Sequence, residues 1–333
     1  MRKILLIILC LILTIPVLGC SREQEQISIE ENTPPGVLVV GYVQVGAESA
    51  WRLANTASFM SAFGDNPRFD FRFVDSRNNP AFQRGAVYDF IVQEVDYIII
   101  APIEEYGWDE ILAEARDAGI TVIISDRMIE TTDETLYAFW IGANFLQEGI
   151  DAMDWLNNYL VKIGRDEETL NVFHMQGTMG SSAQIGRTEG IYRGINENDN
   201  FILKAQETGD FTLERGAELM SEWLYEFSAD EIHILIAEND EMAFGAIRTM
   251  REVGIRPGQD IIIISFDAGR NAVQAVADGL INATVECNPL HGPRVRENIE
   301  LLEAGVTPEQ RQYVHTGMIF DSTNAAAEVE NRW

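Results

Sequence analysis

The residues that could do chemistry are charged, amide and aromatic side chains that follow short apolar runs of the chain. They are Glu48, Ser49, Trp51 and Arg52, then Asp126 and Arg127, then the loop 176–187, then Asp210 and Phe211, then 238–240, and finally Asp267. Planar polar groups form paired hydrogen bonds with neighbouring hydroxyls, and aromatic faces pack against C–H surfaces. This combination favours recognition of a sugar.

Each of these residues also has a purely structural interpretation. Asp126 and Arg127 could form a local ion pair at the end of a strand, and Trp51 could be a core residue of an amphipathic helix. Asp240 could cap the helix that follows it, because Asp is favoured at that position. The combination of residue types, rather than any one of them, favours a binding site.

The elements that must position these residues alternate regularly along the chain. Predicted strands are 37–40, 69–74, 97–100, 121–124, 170–173, 201–205, 232–237 and 261–265, and predicted helices between them include 50–63, 80–93, 108–118 and 183–196. Continuous apolar strands that alternate with amphipathic helices indicate parallel sheets covered on both faces. Because the series stops and restarts, the sequence predicts an α/β fold with two doubly wound lobes. Ligands of such sheets bind beyond the carboxyl ends of the strands.

The beginning of the chain predicts export. Arg2 and Lys3 precede an apolar run, 4–18, which is shorter than the ~20 residues of a membrane span and is typical of a signal peptide. The run ends at Gly19-Cys20, which resembles the lipobox of bacterial lipoproteins. That resemblance implies a signal peptide over 1–20, lipid on Cys20 and a flexible polar tether over 21–36. An ordinary signal peptide with an incidental cysteine is the alternative.

Composition excludes several function classes. The chain has 333 residues, 46% of them hydrophobic, and a formal net charge of −29, which argues against nucleic acid as a partner. After removal of a signal peptide and lipidation of Cys20, only Cys287 remains, so no intramolecular disulfide is expected. No zinc, calcium, P-loop or nucleophile-elbow motif occurs, and the acidic pairs lack a catalytic spacing. We therefore expect neither enzyme activity, nor a metal, nor a cofactor.

Several motifs together resemble one known family. They are Asp126-Arg127, the segments 176–182 and 187–190, Gly209-Asp210-Phe211, the segment 238–243, Phe266-Asp267, and Ala283-Thr284-Val285. The chain resembles the type I periplasmic sugar-binding proteins of the ribose and galactose group over about residues 37–320. The segments 44–52, 101–108 and 285–293 are most similar to galactofuranose-binding proteins of ABC transporters.

The resemblance implies a role for individual residues. Asp126 and Arg127 would bind sugar hydroxyls from the first lobe, and Arg187, Asn239 and Asp267 would bind them from the second. Phe211 and Trp51 would pack on the two faces of the sugar ring. Glu48 and Arg52 would lie at the first-lobe edge of the cleft. Glu286 is a further expected ligand residue, although adjacent strand residues point to opposite faces. Glu286 or Cys287 would therefore face the ligand, where ribose-type relatives have an amide.

The resemblance also implies a two-lobed architecture and a role in transport. The lobes would comprise 37–140 with 289–315 and 141–288 with 316–333, joined by a three-strand hinge near 141, 289 and 316. The expected function is a monomeric, lipid-anchored substrate-binding protein that delivers a monosaccharide to the permease and ATPase of an ABC importer. The alternative is a sensor that presents the sugar to a chemoreceptor or a sensor kinase. Genes for either partner beside this one would distinguish the two.

Overall fold

The computed structural model describes residues 36–314 and 317–333. The predicted signal peptide, the lipidation of Cys20, nearly all of the tether and the crossing near Thr316 lie outside these residues. No helix of the described ranges is both long and apolar enough to cross a membrane.

Strands and helices alternate along the described chain. The strands are β1 Leu38–Gln44, β2 Phe69–Asp75, β3 Tyr97–Ile100, β4 Thr121–Ser125, β5 Phe139–Gly142, β6 Leu170–Gln176, β7 Phe201–Thr208, β8 Ile234–Ala237, β9 Ile262–Asp267, β10 Ala283–Glu286, β11 Arg311–Tyr313 and β12 Ile319–Asp321. The helices are α1 Ala50–Phe63, α2 Pro80–Val92, α3 Asp109–Asp117, α4 Phe145–Ile163, α5 Ser182–Glu197, α6 Leu213–Glu226, α7 Asp240–Glu252, α8 Arg270–Ala277, α9 Gly292–Glu303 and α10 Ala325–Glu328.

The strands form two separate six-stranded sheets. The first has the order β11-β5-β4-β3-β1-β2, and every neighbouring pair in it is parallel. The second has the order β12-β10-β9-β8-β6-β7 and is parallel except for β12, which runs antiparallel to β10. The predicted α/β fold with two doubly wound lobes is confirmed. We call the two sheets with their helices the first lobe and the second lobe.

Apolar side chains cover both faces of each sheet. In the first lobe, Ile98 and Ile100 pack on one face of β3 and Ile99 packs on the other. In the second lobe, Leu235 and Ile236 of β8 face opposite sides in the same way. Burial on both sides explains why these strands are continuous apolar runs rather than alternating ones.

Several helices begin directly after a strand, at the carboxyl edge of their sheet. The side chains of Ser49, Asn144, Ser181, Thr212 and Asn239 cap helices α1, α4, α5, α6 and α7 by accepting a hydrogen bond from a backbone N–H of the first turn. These caps place the first turns of the helices of both lobes beside the strand ends, where the predicted site residues lie.

The chain passes from one sheet to the other after β5, after β10 and after β11. β5 pairs with β4 and β11, so residues 141 and 142 lie in the first sheet, although the sequence-based boundaries put them in the second lobe. The second passage runs from β10 of the second sheet to α9, which packs on α1 of the first lobe. The third passage, between β11 and β12, includes residues outside the described ranges.

Candidate functional site

A cavity lies between the lobes at the carboxyl ends of the strands. The first lobe lines it with Glu48, Ser49, Trp51, Arg52, Asp126 and Arg127, and the second lobe with Phe145, Ala183, Arg187, Phe211, Asn239, Asp267 and Cys287. All of the expected ligand residues except Glu286 line this one space. They come from strand ends and helix starts that are far apart in the sequence, and the fold brings them together.

The first-lobe wall is a chain of buried ion pairs. Arg127 Nη2 lies 2.7 Å from Glu48 Oε1, and Arg52 Nη2 lies 2.7 Å from Asp126 Oδ2 and 3.3 Å from Glu48 Oε1. Burial opposes the charge of Arg52, but the nearby carboxylates raise its pKa above the ordinary value. Burial lowers the pKa of Arg127 even though Glu48 favours its charge. A local ion pair of Asp126 with Arg127 is the structural alternative for these residues, but Asp126 pairs with Arg52 of α1 and Arg127 pairs with Glu48 of the loop before α1.

This wall keeps unused hydrogen-bonding capacity. Glu48 Oε2, Arg52 Nη1 and Arg127 Nε are buried and have no hydrogen-bond partner within residues 36–314 and 317–333. A buried polar atom without a partner costs about 1–3 kcal/mol, so such atoms are rare unless a bound group satisfies them. Three of them around one cavity indicate a ligand with several hydroxyl groups.

The second-lobe wall is centred on Arg187 of α5. Its Nε lies 2.9 Å from Glu148 Oε2, its Nη2 lies 3.2 Å from Asp267 Oδ1, and its Nη1 donates to the carbonyl of Glu238. Burial opposes its charge, but the carboxylates raise the pKa of Arg187 above the ordinary value. Burial also raises the pKa of Asp267 well above its usual range despite the nearby Arg187. The guanidinium is therefore charged and fixed in direction.

Aromatic rings line both sides of the cavity. The Phe211 ring lies 5.3 Å from the guanidinium carbon of Arg127 and 6.0 Å from that of Arg187, and the Arg52 guanidinium lies 4.8 Å from the Trp51 ring. Trp51 Nε1 donates to the carbonyl of Cys287 at 2.7 Å, which joins the two lobes. Apolar rings beside charged planar groups can hold a molecule that is polar at its edges and apolar on its faces.

The backbone at the strand ends is strained around the cavity. Asp126, Phe211 and Asp267 have positive φ angles of 65°, 61° and 100°. Such conformations are uncommon for residues other than glycine and tend to occur at functional sites. At Asn239 the structure shows a positioning role, because its side chain caps α7 at Met242 N and donates to the carbonyl of Phe211 at 2.9 Å.

Glu286 lies outside the cavity, and Cys287 lines it. The carboxylate of Glu286 forms an ion pair with Arg332, on the other side of the strand end. Cys287, rather than the expected Glu286, therefore faces the cleft, because successive strand residues point to opposite faces. The thiol of Cys287 is buried, and burial raises its pKa well above the ordinary value.

Two functional residues escaped the sequence analysis, Phe145 and Glu148 of α4. Phe145 lines the cavity, with the guanidinium carbon of Arg187 5.5 Å from its ring, and Glu148 is fully buried against Arg187. The signal that could have found them is the start of α4 directly after β5, the same strand-to-helix position as the other site residues. Because the sequence analysis did not predict β5, it did not identify the start of α4 as the end of a strand.

The match to known proteins agrees with this geometry. The family described as periplasmic binding protein domain matches residues 40–291. The chain belongs to the periplasmic binding protein family. The resemblance on which the sequence analysis depended is therefore confirmed.

Members of this family that bind furanose sugars are similar over most of the chain. The galactofuranose-binding protein YtfQ of Escherichia coli is 33% identical over 89% of this chain and 91% of its own length. A Mycobacterium smegmatis structure in complex with β-D-fucofuranose has a TM-score of 0.82 at 37% identity, covering 89% of this chain and 95% of that one. The arabinose ABC transporter binding protein of Shewanella sp. ANA-3, bound to α- and β-L-arabinofuranose, has a TM-score of 0.81 at 35% identity, covering 88% and 95%.

Proposed function

We propose that this chain is the substrate-binding protein of an ABC sugar importer and that it binds a neutral monosaccharide in the furanose form. The observation that carries the proposal is the cavity between the lobes, with unpartnered polar atoms of Glu48, Arg52 and Arg127 on one wall. The names of the similar proteins supply the furanose ring form. Membership of a family of binding proteins favours a binding function over enzyme activity.

The charges around the cavity support a neutral ligand. Carboxylates alternate with guanidinium groups around it, and each guanidinium already has at least one carboxylate partner. A phosphate or carboxylate on the ligand would have to displace such a partner. Hydroxyl groups, in contrast, can both donate to the carboxylates and accept from the guanidinium groups.

Contacts between the lobes support a binding protein that closes around its ligand. Glu105 N donates to the carbonyl of Gly180 at 3.1 Å, and Met128 N donates to Ser182 Oγ at 2.8 Å. The hydrogen bond from Trp51 to Cys287 adds a third connection. A sugar that contacts both walls would stabilise this closed arrangement by its difference in affinity for the two states, and a permease could recognise the result. We place the hinge at the three passages between the sheets.

The beginning of the chain supports export and anchoring on the outer face of a membrane. We propose that the signal peptide is removed just before Cys20, that Cys20 becomes the lipidated first residue, and that residues 21–36 tether the binding lobes to the membrane. Replacement of Cys20 by Ser should release the protein from the membrane fraction of the producing cells. Retention of that variant in the membrane fraction, at the level of the wild type, would contradict lipid anchoring.

The sugar specificity can be tested by isothermal titration with a panel of sugars. D-Galactose, D-fucose, L-arabinose, D-ribose and D-fructose would be compared with methyl pyranosides, whose ring cannot convert to the furanose form. We expect at least one free sugar to bind and its methyl pyranoside not to bind. Binding of a pyranoside with the affinity of the free sugar would refute the furanose form, and no binding by any sugar would refute the proposed function.

A further inference from the structure

A second cavity adjoins the first one. It has a volume of about 320 Å³, and Trp51 and Asp267 line both cavities. Its other walls include Phe244 of α7, Arg270 of α8 and Trp333. The proposed monosaccharide would fill the first cavity, so a substituent that leaves the ring between Trp51 and Asp267 would enter this second space.

The second cavity is built from both lobes. Ala50, Trp51 and Ala54 of α1 form one side, and residues of α7 and α8 with Trp333 form the other. Ala50 N donates to Glu241 Oε1 at 3.1 Å, which holds the two sides together. A group bound here would therefore contact both lobes in the closed arrangement and would add to its stability.

The lining has the same chemical character as the first cavity. Aromatic surfaces come from Trp51, Phe244 and Trp333, and polar planar groups come from Glu241 and Asn271. The indole of Trp333 packs against Gly269, and its backbone carbonyl accepts from Arg270 N at 3.1 Å. Its Nε1 is buried and has no hydrogen-bond partner among the residues that the structure describes. Aromatic surfaces beside polar planar groups suit the C–H faces and the hydroxyl groups of a second sugar.

The polar groups of the second cavity offer little to an anionic substituent. The carboxyl groups of Asp240, Glu241 and Asp267 line it, and the guanidinium of Arg270 is already paired with Glu330 at 3.0 Å. Asp240 is buried and accepts from Ser265 Oγ and from Gly269 N, so it belongs to the protein framework, and burial raises its pKa to about 7. A phosphate or a nucleotide attached to the sugar would meet a guanidinium that already has a partner, whereas a neutral sugar needs no free cation.

We propose that the second cavity is a subsite for a second sugar unit, so that the protein binds a furanosyl disaccharide as well as the monosaccharide. This inference rests on the proposed function, because the first unit must occupy the first cavity. The free monosaccharide uses only the first cavity, and the two ligands should therefore depend on different residues.

Isothermal titration of two variants tests the subsite. The probes are L-arabinose with α-1,5-L-arabinobiose, together with D-galactose and a β-linked galactofuranosyl disaccharide. Phe244→Ala and Trp333→Ala each remove an aromatic wall of the second cavity, and neither residue lines the first cavity. Phe82→Ala is the matched control, because that ring is half exposed on α2 of the first lobe. Thermal unfolding of every variant shows whether it is folded, and Phe244→Ala keeps the test valid if Trp333→Ala does not fold.

We expect the wild type to bind the disaccharide at least as tightly as its monosaccharide. Both variants should weaken the disaccharide about tenfold and leave the monosaccharide within about twofold of wild type, and the control should change neither. A wild type that binds the monosaccharide but not the disaccharide would overturn the subsite and leave the proposed function intact. Equal weakening of both ligands by Phe244→Ala would also overturn it. Failure of every monosaccharide to bind would refute the proposed function and the subsite together.

Discussion

At the scale of single residues, the cleft depends on buried charged groups that hold one another in place. Arg187 has carboxylates at its Nε and Nη2 and aromatic rings on both sides, including Phe266 at 5.0 Å from its guanidinium carbon. Glu148, which does not line the cavity, is one of these partners. Such a residue should affect the sugar only through the position of Arg187.

Glu148→Gln should weaken sugar binding. The substitution keeps the size of the side chain and an acceptor oxygen but removes the carboxylate charge that balances the buried Arg187, and a hydrogen bond between charged partners is worth about 1.5–3 kcal/mol. We expect the Kd to increase about tenfold to a hundredfold in isothermal titration, with a folded protein. Glu189→Gln, an exposed position on α5, is the matched control and should leave the Kd unchanged. Equal affinities of Glu148→Gln and wild type would show that Glu148 does not position Arg187.

His291 should make the stability of the protein depend on pH. Burial lowers the pKa of this imidazole from 6.5 to about 4, although Asp126 and the hydrogen bond of its Nε2 with the carbonyl of Asn288, at 2.8 Å, favour the charged form. The unfolded chain therefore binds a proton at a pH where the folded one does not. The contribution of His291 to stability is complete above pH 6.5 and is lost as the pH falls towards 4.

The measurement is chemical denaturation of wild type and His291→Gln at pH 7 and at pH 4. Because one pKa unit corresponds to 1.36 kcal/mol, the free energy of unfolding should fall between these pH values by about 3 kcal/mol more in wild type than in the variant. Comparison of the two proteins removes the effect of the other titrating groups. Parallel pH profiles would mean that His291 does not titrate in this way.

At the scale of elements, the loop after β6 and the loop after β7 fit each other closely. Phe211 packs over Gly177, and the side chain of Asn239 holds the backbone of Phe211 from the start of α7. A Cβ at position 177 would overlap the Phe211 ring. The orientation of this ring in the cavity therefore depends on three strand ends, not on Phe211 alone.

Gly177→Ala should displace the Phe211 ring and weaken binding at least about tenfold, because the ring lies between Arg127 and Arg187. Gly85→Ala is the matched control, since a Cβ at that helical position meets no other atom. The control should bind like wild type and be more stable by about 0.5–1 kcal/mol. Isothermal titration and thermal unfolding of both variants test this expectation, and wild-type affinity in Gly177→Ala would contradict it.

The sequence allowed the prediction of elements whose burial is strong and local. The runs 97–100 and 122–124 are hydrophobic, and they lie in β3 and in β4, which ends at Ser125. No α-helix of the described chain separates β5 from β4, so β5 lacked the alternation of strand and helix that indicated the others. The strand ends were also predicted too short, because β6 and β7 continue into the polar residues up to Gln176 and Thr208.

The composition of the site could be predicted because residue type and strand end together limit the candidates. Its internal pairing could not, because the partner of each charge is decided by packing between distant segments. Arg127 pairs with Glu48, which is 79 residues away in the chain, rather than with the adjacent Asp126. Whether Glu286 or Cys287 faces the cavity likewise depends on the register of β10 against β9, which the sequence alone does not specify.

At the scale of the whole molecule, the two lobes are held closed by few direct bonds. Met128 N donates to Ser182 Oγ, and Glu105 N donates to the carbonyl of Gly180. A small number of neutral hydrogen bonds contributes only a few kcal/mol. The free energy difference between closed and open arrangements should therefore be small enough for a ligand to shift it.

Ser182→Ala should favour the open arrangement without removing a ligand contact. Met128 N would lose its partner when the lobes close, whereas water could satisfy it when they are open. We expect the Kd for the sugar to increase about twofold to tenfold, as the loss of one hydrogen bond implies. Small-angle scattering without sugar should show a larger radius of gyration than for wild type. Ser61→Ala, an exposed position on α1, should change neither quantity, and the same result for Ser182→Ala would contradict the role of this bond.

The central claim is that residues of both lobes bind one neutral sugar in the cavity between them. Isothermal titration of wild type, Arg127→Ala and Asp267→Ala with the sugar selected by the panel tests this claim most directly. Arg127 belongs to the first lobe and Asp267 to the second, and both line the cavity. We predict one sugar per protein in the wild type and no measurable binding in either variant, with both variants still folded by circular dichroism. Wild-type affinity in either folded variant would contradict the claim.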